Sequence, residues 1–180
     1  MLELGVKFLI SYFIGSLMGA MIFGRIRGGV DIRTMGSGNA GGTNALRTQG
    51  TLFALGVVLI YVGKGVIGAG VGPGLERPFI AEDPAVSRTW LTLSCAAAAV
   101  FGHVWPIYHG FRGGKGAATL IGTLVILGPK LILGVLLVWG WMLIFTGYVG
   151  LATMTAATAL PVWLAMTRMQ EDQPLVIYLA

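Results

Sequence analysis

A chain of 180 residues that is 56% hydrophobic and 11% charged carries too few charges for a soluble domain, where about a quarter of residues are charged. Twelve Lys and Arg against seven Asp and Glu leave a formal charge of +5. The polar loops lack the basic-aromatic interleaving of an RNA-binding surface, so no nucleic-acid partner is expected and the excess charge is read as orienting helices in a bilayer. A lone cysteine, Cys95, excludes an internal disulfide and reads as a small packing residue.

The charges fall in short clusters between long uncharged runs, which indicates a polytopic membrane protein. The expected fold is an all-α membrane helix bundle, a single domain over residues 1–180, with six to seven transmembrane segments. The first segment spans Leu2 to Gly24, with Glu3 and Lys7 offsetting each other at its start. No cleavable signal peptide is evident, because the apolar run leads straight into a basic loop. Gly15 and Gly19 form a Gly-x-x-x-Gly face suited to close helix packing. The loop that follows holds Arg25, Arg27, Arg33 and Arg47 against Asp31 alone, which places it in the cytoplasm and the N-terminus outside.

Within this loop lies the polar stretch Met35-Gly36-Ser37-Gly38-Asn39-Ala40-Gly41-Gly42-Thr43-Asn44-Ala45-Leu46-Arg47. Its glycines permit positive φ and close backbone approach. Successive free N–H groups in such a loop can form an anion-binding nest, and Arg47 adds a fork suited to phosphate. Gly36-x-Gly38-x-x-Gly41 matches the dinucleotide fingerprint formally, but neither a strand nor a βαβ unit surrounds it. Ser37 has no base beside it, so its local chemistry reads as structural.

The second segment, Thr51 to Gly72, carries one charge, Lys64. An intramembrane lysine is either functional or one whose long stem snorkels to the interface, and both readings stay open. A weakly acidic loop from Pro73 to Arg88 suits the outside. The third segment, from Thr89 to about Trp105-Pro106, leads into a second basic, glycine-rich stretch. That stretch contains His103, His109, Arg112, Gly113, Gly114, Lys115 and Gly116. It falls on the same side of the membrane as the first. Gly113-Gly114-Lys115-Gly116 lacks the Ser or Thr that must follow Gly-Lys in a Walker A loop, yet its amides and lysine suit phosphate oxygens equally well. His103 and His109 have no carboxylate or cysteine nearby, so neither a metal site nor a cofactor is expected. His103 reads first as a structural cap on the third segment.

Segment four, Ala117 to Gly128, and segment five, Leu131 to Phe145, are short enough to be tilted, half-inserted or wrongly divided; Trp139 and Trp141 in the fifth suit interfacial anchoring. Segment six is Tyr148 to Met166, and the apolar run from Pro174 to Ala180 reads as the start of a truncated seventh, since about 20 residues are needed to span. There is no convincing internal repeat, which leaves an inverted-repeat transporter little support. A transporter or channel for a phosphorylated organic anion is the rival from another class, because it would use the same loops without chemistry.

Gly36-Ser37-Gly38-Asn39-Ala40-Gly41-Gly42-Thr43-Asn44 with Arg47, then Gly102-His103-Val104-Trp105-Pro106 and Gly113 through Thr119, together resemble the bacterial acyl-phosphate:glycerol-3-phosphate acyltransferases. The resemblance runs in loop order and segmentation over nearly the whole chain. It implies a multi-pass enzyme of the bacterial inner (plasma) membrane in phospholipid biosynthesis, with its loops in the cytoplasm. That enzyme would transfer a fatty acyl group from acyl phosphate to the 1-hydroxyl of sn-glycerol 3-phosphate, giving lysophosphatidic acid. Its partners would be those two substrates and membrane lipid. By matching positions, Ser37, Arg47 and Lys115 become catalytic candidates, with His103 as a rival general base. Gly36, Gly38, Asn39, Gly41, Thr43, Asn44, Gly113, Gly114 and Gly116 become phosphate-binding candidates. Lys64-Gly65 stands where the family also tends to carry Lys-Gly. The family's functional His and Asn belong to a C-terminal tail beyond Ala180 and are not carried over. With no carboxylate in either glycine-rich stretch, direct transfer is expected, the donor's own phosphate taking the hydroxyl proton.

Overall fold

The computed structural model describes residues 1–75 and 81–171. Among them are eight α-helices and no strand: α1 Leu2–Gly15, α2 Gly19–Ile26, α3 Gly42–Gln49, α4 Thr51–Gly74, α5 Arg88–Val104, α6 Ala117–Leu127, α7 Lys130–Thr146 and α8 Val149–Glu171. Two single-turn 3-10 helices, Ile32–Thr34 and Ile107–His109, lie in the two glycine-rich loops. The chain divides into two compact units, Met1–Ile126 and a second beginning at Leu127.

The described residues hold fewer helices of spanning length and composition than six or seven expected segments require. Among the described residues, Thr51–Val71 and Arg88–His109 are long and apolar enough, and α1 with α2 makes a third if the bent pair counts as one span. At 1.5 Å per residue, the 11 residues of α6 and the 17 of α7 fall short of a roughly 30 Å hydrocarbon core. The expected seventh segment, Pro174 to Ala180, lies outside the described residues.

The first unit is built on α1, α4 and α5, which approach closely because small residues meet at their crossings. A Cβ on Gly15 or Gly68 would collide with Ala99, and one on Gly102 with the Tyr12 carbonyl and the Ser16 amide. Gly65 and Gly122 do the same for α4 against α6. At the end of the bundle near the N-terminus, Glu3 is buried. Arg88 donates to both of its carboxylate oxygens, at 2.6 and 2.8 Å, and Lys7 Nζ lies 2.9 Å from Oε1. The two charges that offset each other on sequence thus join a network tying α1 to α5. Beneath the first loop, Met18, Ile32, Ala40, Ala45, Phe53, Val57 and Tyr61 form an apolar core, with Ala118 of α6 packed against it.

The expected first segment is not one helix. It breaks at Ser16–Met18, and its halves are bent by 40°. Gly15 and Gly19 do serve packing, but against different partners, Ala99 of α5 and Ile60 of α4. The break also settles Lys64, which does not snorkel. It is 4% exposed. Its Nζ donates to the Gly15 carbonyl and, at 2.7 Å, to the Leu17 carbonyl. A helix that stops inside the bundle leaves orphan carbonyls, and this lysine satisfies them.

The second unit pairs α7 with α8. Gly134 makes room for the Trp163 ring. Trp139 Nε1 lies 3.3 Å from Thr153 Oγ1, while Trp141 is exposed and packs on Phe145.

Candidate functional site

Each glycine-rich stretch runs from a 3-10 turn into the N-terminus of an α-helix, α3 for the first and α6 for the second. In the first, Asn44 is the organising residue. It is buried, and its Oδ1 accepts the Ser37 amide at 3.0 Å. Its Nδ2 donates to the carbonyls of Ile32, Met35 and Asn39 at 2.9 to 3.0 Å. Gly36 and Gly38 supply left-handed turns, with φ of 55° and 69°. A Cβ on Gly36 would strike Asn44 Oδ1, so the residue closing the loop and the glycine admitting it are matched. Asn39 Oδ1 accepts the Gly41 amide at 2.8 Å, the local turn that Asn makes two residues on.

The first-turn amides of α3, at Gly42, Thr43 and Asn44, have no acceptor among the described residues. Such amides, with the positive end of the helix dipole, suit an anion. The side chains of Ser37 and Arg47 are exposed and make no hydrogen bond or ion pair among the described residues.

The second stretch is held by backbone instead. The Gly113 amide donates to the Val104 carbonyl and the Gly114 amide to the His103 carbonyl, each at 3.2 Å. Both glycines lie against the end of α5 with no room for a side chain: a Cβ on Gly113 would meet the His103 carbonyl oxygen, and one on Gly114 the His103 ring at Nε2. Lys115 is exposed, without a protein partner among the described residues. Gly116 takes φ of 82° and turns the chain into α6, whose first amides are likewise unpaired.

The two stretches meet. Arg33, between Asp31 and the first glycine turn, donates through Nη1 to the carbonyls of His109 at 2.9 Å and Arg112 at 3.3 Å. Its Nε and Nη2 are held by the Asp31 carboxylate at 2.8 to 3.2 Å. Those Arg33 bonds hold the Asp31 carboxyl below its ordinary range and push the guanidinium the other way. Arg33 therefore joins loop to loop and is not available to a ligand. Deeper in, His103 is 2% exposed. Its Nδ1 lies 3.0 Å from Thr119 Oγ1, and its ring stands edge-on to Tyr61 with centroids 4.5 Å apart.

Of the sequence-expected residues, the fold thus gathers the two stretches at one end of the first unit, leaves Ser37, Arg47 and Lys115 exposed, and encloses Asn44 and His103. Asp31, Arg33, Tyr61 and Thr119 hold the site together and were not singled out by sequence. The Asp31–Arg33 spacing was visible, but its long-range target was not. Among the described residues, no three His, Cys, Asp or Glu side chains gather as metal ligands would.

The model of the glycerol-3-phosphate acyltransferase family matches residues 6–180. The chain belongs to that family. It is an integral membrane acyltransferase of phospholipid synthesis. It is similar to the glycerol-3-phosphate acyltransferases of Chlorobium phaeovibrioides (38% identical) and Chlorobium phaeobacteroides (40% identical), in each case over 93% of this chain and 72% of the relative. It is also similar to crystal structures of PlsY (YgiH), an integral membrane glycerol 3-phosphate acyltransferase. The glycerol 3-phosphate form aligns with a TM-score of 0.76 at 29% identity, over 91% of this chain and 77% of that one. The lysophosphatidic acid form aligns with a TM-score of 0.74 at 28% identity, over 91% and 76%.

Proposed function

We propose that this acyltransferase takes its acyl group from an acyl phosphate and passes it to the 1-hydroxyl of sn-glycerol 3-phosphate, releasing lysophosphatidic acid and phosphate. The observation that carries this reading is the pairing of two helix N-termini, each preceded by a glycine turn, held together by Arg33 and flanked by Ser37, Arg47 and Lys115 without protein partners. Two such ends suit two phosphate groups, one on each substrate. In this reading the loop of Lys115, Gly113, Gly114 and Gly116 takes glycerol 3-phosphate. The loop of Ser37, Arg47, Gly36, Gly38, Asn39, Gly41 and Thr43 takes the acyl phosphate.

Two of the candidate residues take supporting roles in this reading. Both side-chain amide hydrogens of Asn44 are committed inside the loop, so its side chain shapes the phosphate site and only its backbone amide is left for phosphate. His103 is enclosed by Tyr61, Thr119 and Gly114, so it supports the second loop instead of serving as general base.

The chemistry needs little more than positioning. Acyl phosphate is a mixed anhydride with a good leaving group. The acceptor's hydroxyl oxygen attacks the acyl carbon, the bond from that carbon to the phosphate-bridging oxygen breaks, and the departing phosphate carries away the hydroxyl proton. Arg47 and Lys115 offset the repulsion between two anions brought face to face, and Ser37 orients the donor phosphate. We place the loops on the cytoplasmic side of a bacterial inner membrane, since their arginines and lysines outnumber Asp31. Six membrane-crossing segments would require α6, α7 and α8 each to cross, the short α6 and α7 through a locally thinned bilayer.

The test is the full chain in lipid, given acyl phosphate and glycerol 3-phosphate and scored for lysophosphatidic acid, with acyl-CoA as comparison donor. Ser37→Ala, Arg47→Ala and Lys115→Ala are each expected to lower turnover by roughly 10²-fold. Unchanged rates in the Ser37 and Lys115 variants would refute the site. An acyl group trapped on Ser37 by rapid quench and mass spectrometry would rule out direct transfer.

A further inference from the structure

Tyr61 lies in the apolar middle of α4, 1% exposed. A buried tyrosine hydroxyl needs partners, and this one has two from different parts of the chain. It donates to the Ala40 carbonyl at 2.7 Å and accepts the Ala20 amide at 3.3 Å. Ala40 immediately precedes Gly41, the N-cap of α3. Ala20 lies in the first turn of α2, just past the helix break, where an amide has no intrahelical acceptor. The ring faces two more groups. His103 stands against it edge-on, and Lys64 Nζ lies 4.9 Å from its centroid while holding the carbonyls on the other side of the same break. Through His103 the ring supports Gly114, whose amide rests on the His103 carbonyl.

We propose that Tyr61 is a positioning residue that sets the spacing of the two loops. Its hydroxyl holds the first loop and its ring holds the second. This inference rests on the two-loop reading above and goes beyond it by dividing one side chain's work between two substrates. Of the two loops the hydroxyl touches only the first, its other partner being the Ala20 amide of α2, so its loss should weaken acyl phosphate selectively. The ring reaches the second loop, so its loss should weaken both substrates.

The experiment compares Tyr61→Phe and Tyr61→Leu in lipid with acyl phosphate and glycerol 3-phosphate varied separately. Amide hydrogen exchange on each variant serves as the structural readout. Tyr61→Phe is expected to raise the KM for acyl phosphate about tenfold, the scale of one buried hydrogen bond. The glycerol 3-phosphate KM should hold within about twofold by the same reasoning, and exchange should quicken at the bonded amides of Gly41 and Ala45 but not in α1, α4 or α5. Tyr61→Leu should raise both KM values. Wild-type constants in Tyr61→Phe would overturn the inference. So would equal rises in both KM values, or faster exchange throughout the bundle, either of which makes Tyr61 an ordinary core residue. Ser37→Ala and Lys115→Ala run alongside. If they leave turnover unchanged, the two-loop site itself has failed; if they lower it and Tyr61→Phe does not, only this inference has.

Discussion

In the first glycine-rich loop a side chain imposes the shape. Asn44 reaches back across the loop and takes one amide and three carbonyls, and the glycines bend to let it. In the second loop there is no such side chain. Gly113 and Gly114 lie flat on the end of α5 and bond to its last carbonyls, which only a residue without Cβ can do. Similar strings of glycine near a basic residue are therefore held differently: Gly36 is matched to a side chain of its own loop, and Gly113 and Gly114 to the end of another helix. The distinction matters because the two are sensitive to different substitutions.

The largest effect is expected from Gly113→Ala. The added methyl would meet a backbone carbonyl, which cannot swing aside as a side chain can. Overpacking of this kind costs about 1–3 kcal/mol or more, and turnover in lipid should fall by at least about tenfold with a lower melting temperature. A fully active Gly113→Ala would mean that the second loop is not seated on α5. Next comes Asn44→Ala, which leaves the Ser37 amide and three carbonyls without their partner. An orphan that stays buried, as the Ile32 carbonyl would, costs about 1–3 kcal/mol, while the other three groups are part-buried and water can take over their bonds. Asn44→Asp sharpens the comparison: it keeps the acceptor for Ser37 and loses the donors, so it should recover little of the lost activity.

A third pair separates freedom from room. Gly36→Ala meets both a positive φ and the Asn44 carbonyl oxygen, whereas Gly110→Ala meets a positive φ of 65° and open space. Gly110→Ala should cost only the left-handed penalty of about 1–2 kcal/mol with catalysis nearly intact, and Gly36→Ala should cost more and impair turnover. Equal effects would erase the distinction.

The smallest effect concerns the Arg33 bridge between the loops. Arg33 holds the folded-state pKa of Asp31 below its ordinary value of 3.8. A depressed carboxylate contributes stability that is fully present above that value and is lost as pH falls through the folded one. Wild-type stability should therefore lack this contribution to pH dependence between neutral pH and about pH 5, and show it below. Asp31→Asn should lower stability at pH 7 by roughly 1 kcal/mol or less, because the pair is partly solvated. The gap should close in acid. A gap that widens as pH falls below 3.8 would assign it to something other than the ion pair.

Much of the helix layout was legible because apolar runs and polar punctuation are local. Thr51 and Ala117 were expected to open their segments and do open α4 and α6. The first segment misled for a physical reason. Leu17 and Met18 are as apolar as their neighbours, so hydropathy carries no mark of a break that is stabilised from another helix. The partner, Lys64, is 47 residues from Leu17 in sequence. On the sequence the same lysine fitted both snorkelling and function, because its acceptors are backbone carbonyls freed only by that break. His103 and Asn44 carry the same lesson. Their residue types suit catalysis and phosphate binding, and only the fold shows that the Asn44 side-chain amide and His103 Nδ1 are bonded to the protein.

What the sequence determined by itself is the membrane class, the two glycine-rich stretches and the family they mark, since composition and contiguous motifs need no third dimension. The tertiary structure decided how those stretches are held and joined. Arg33, Tyr61 and His103 act through bonds and contacts to residues 16 to 79 positions away, two of them to backbone groups that look alike at every position. A carbonyl becomes a specific partner only when the fold has left it without a helical one and set a side chain beside it.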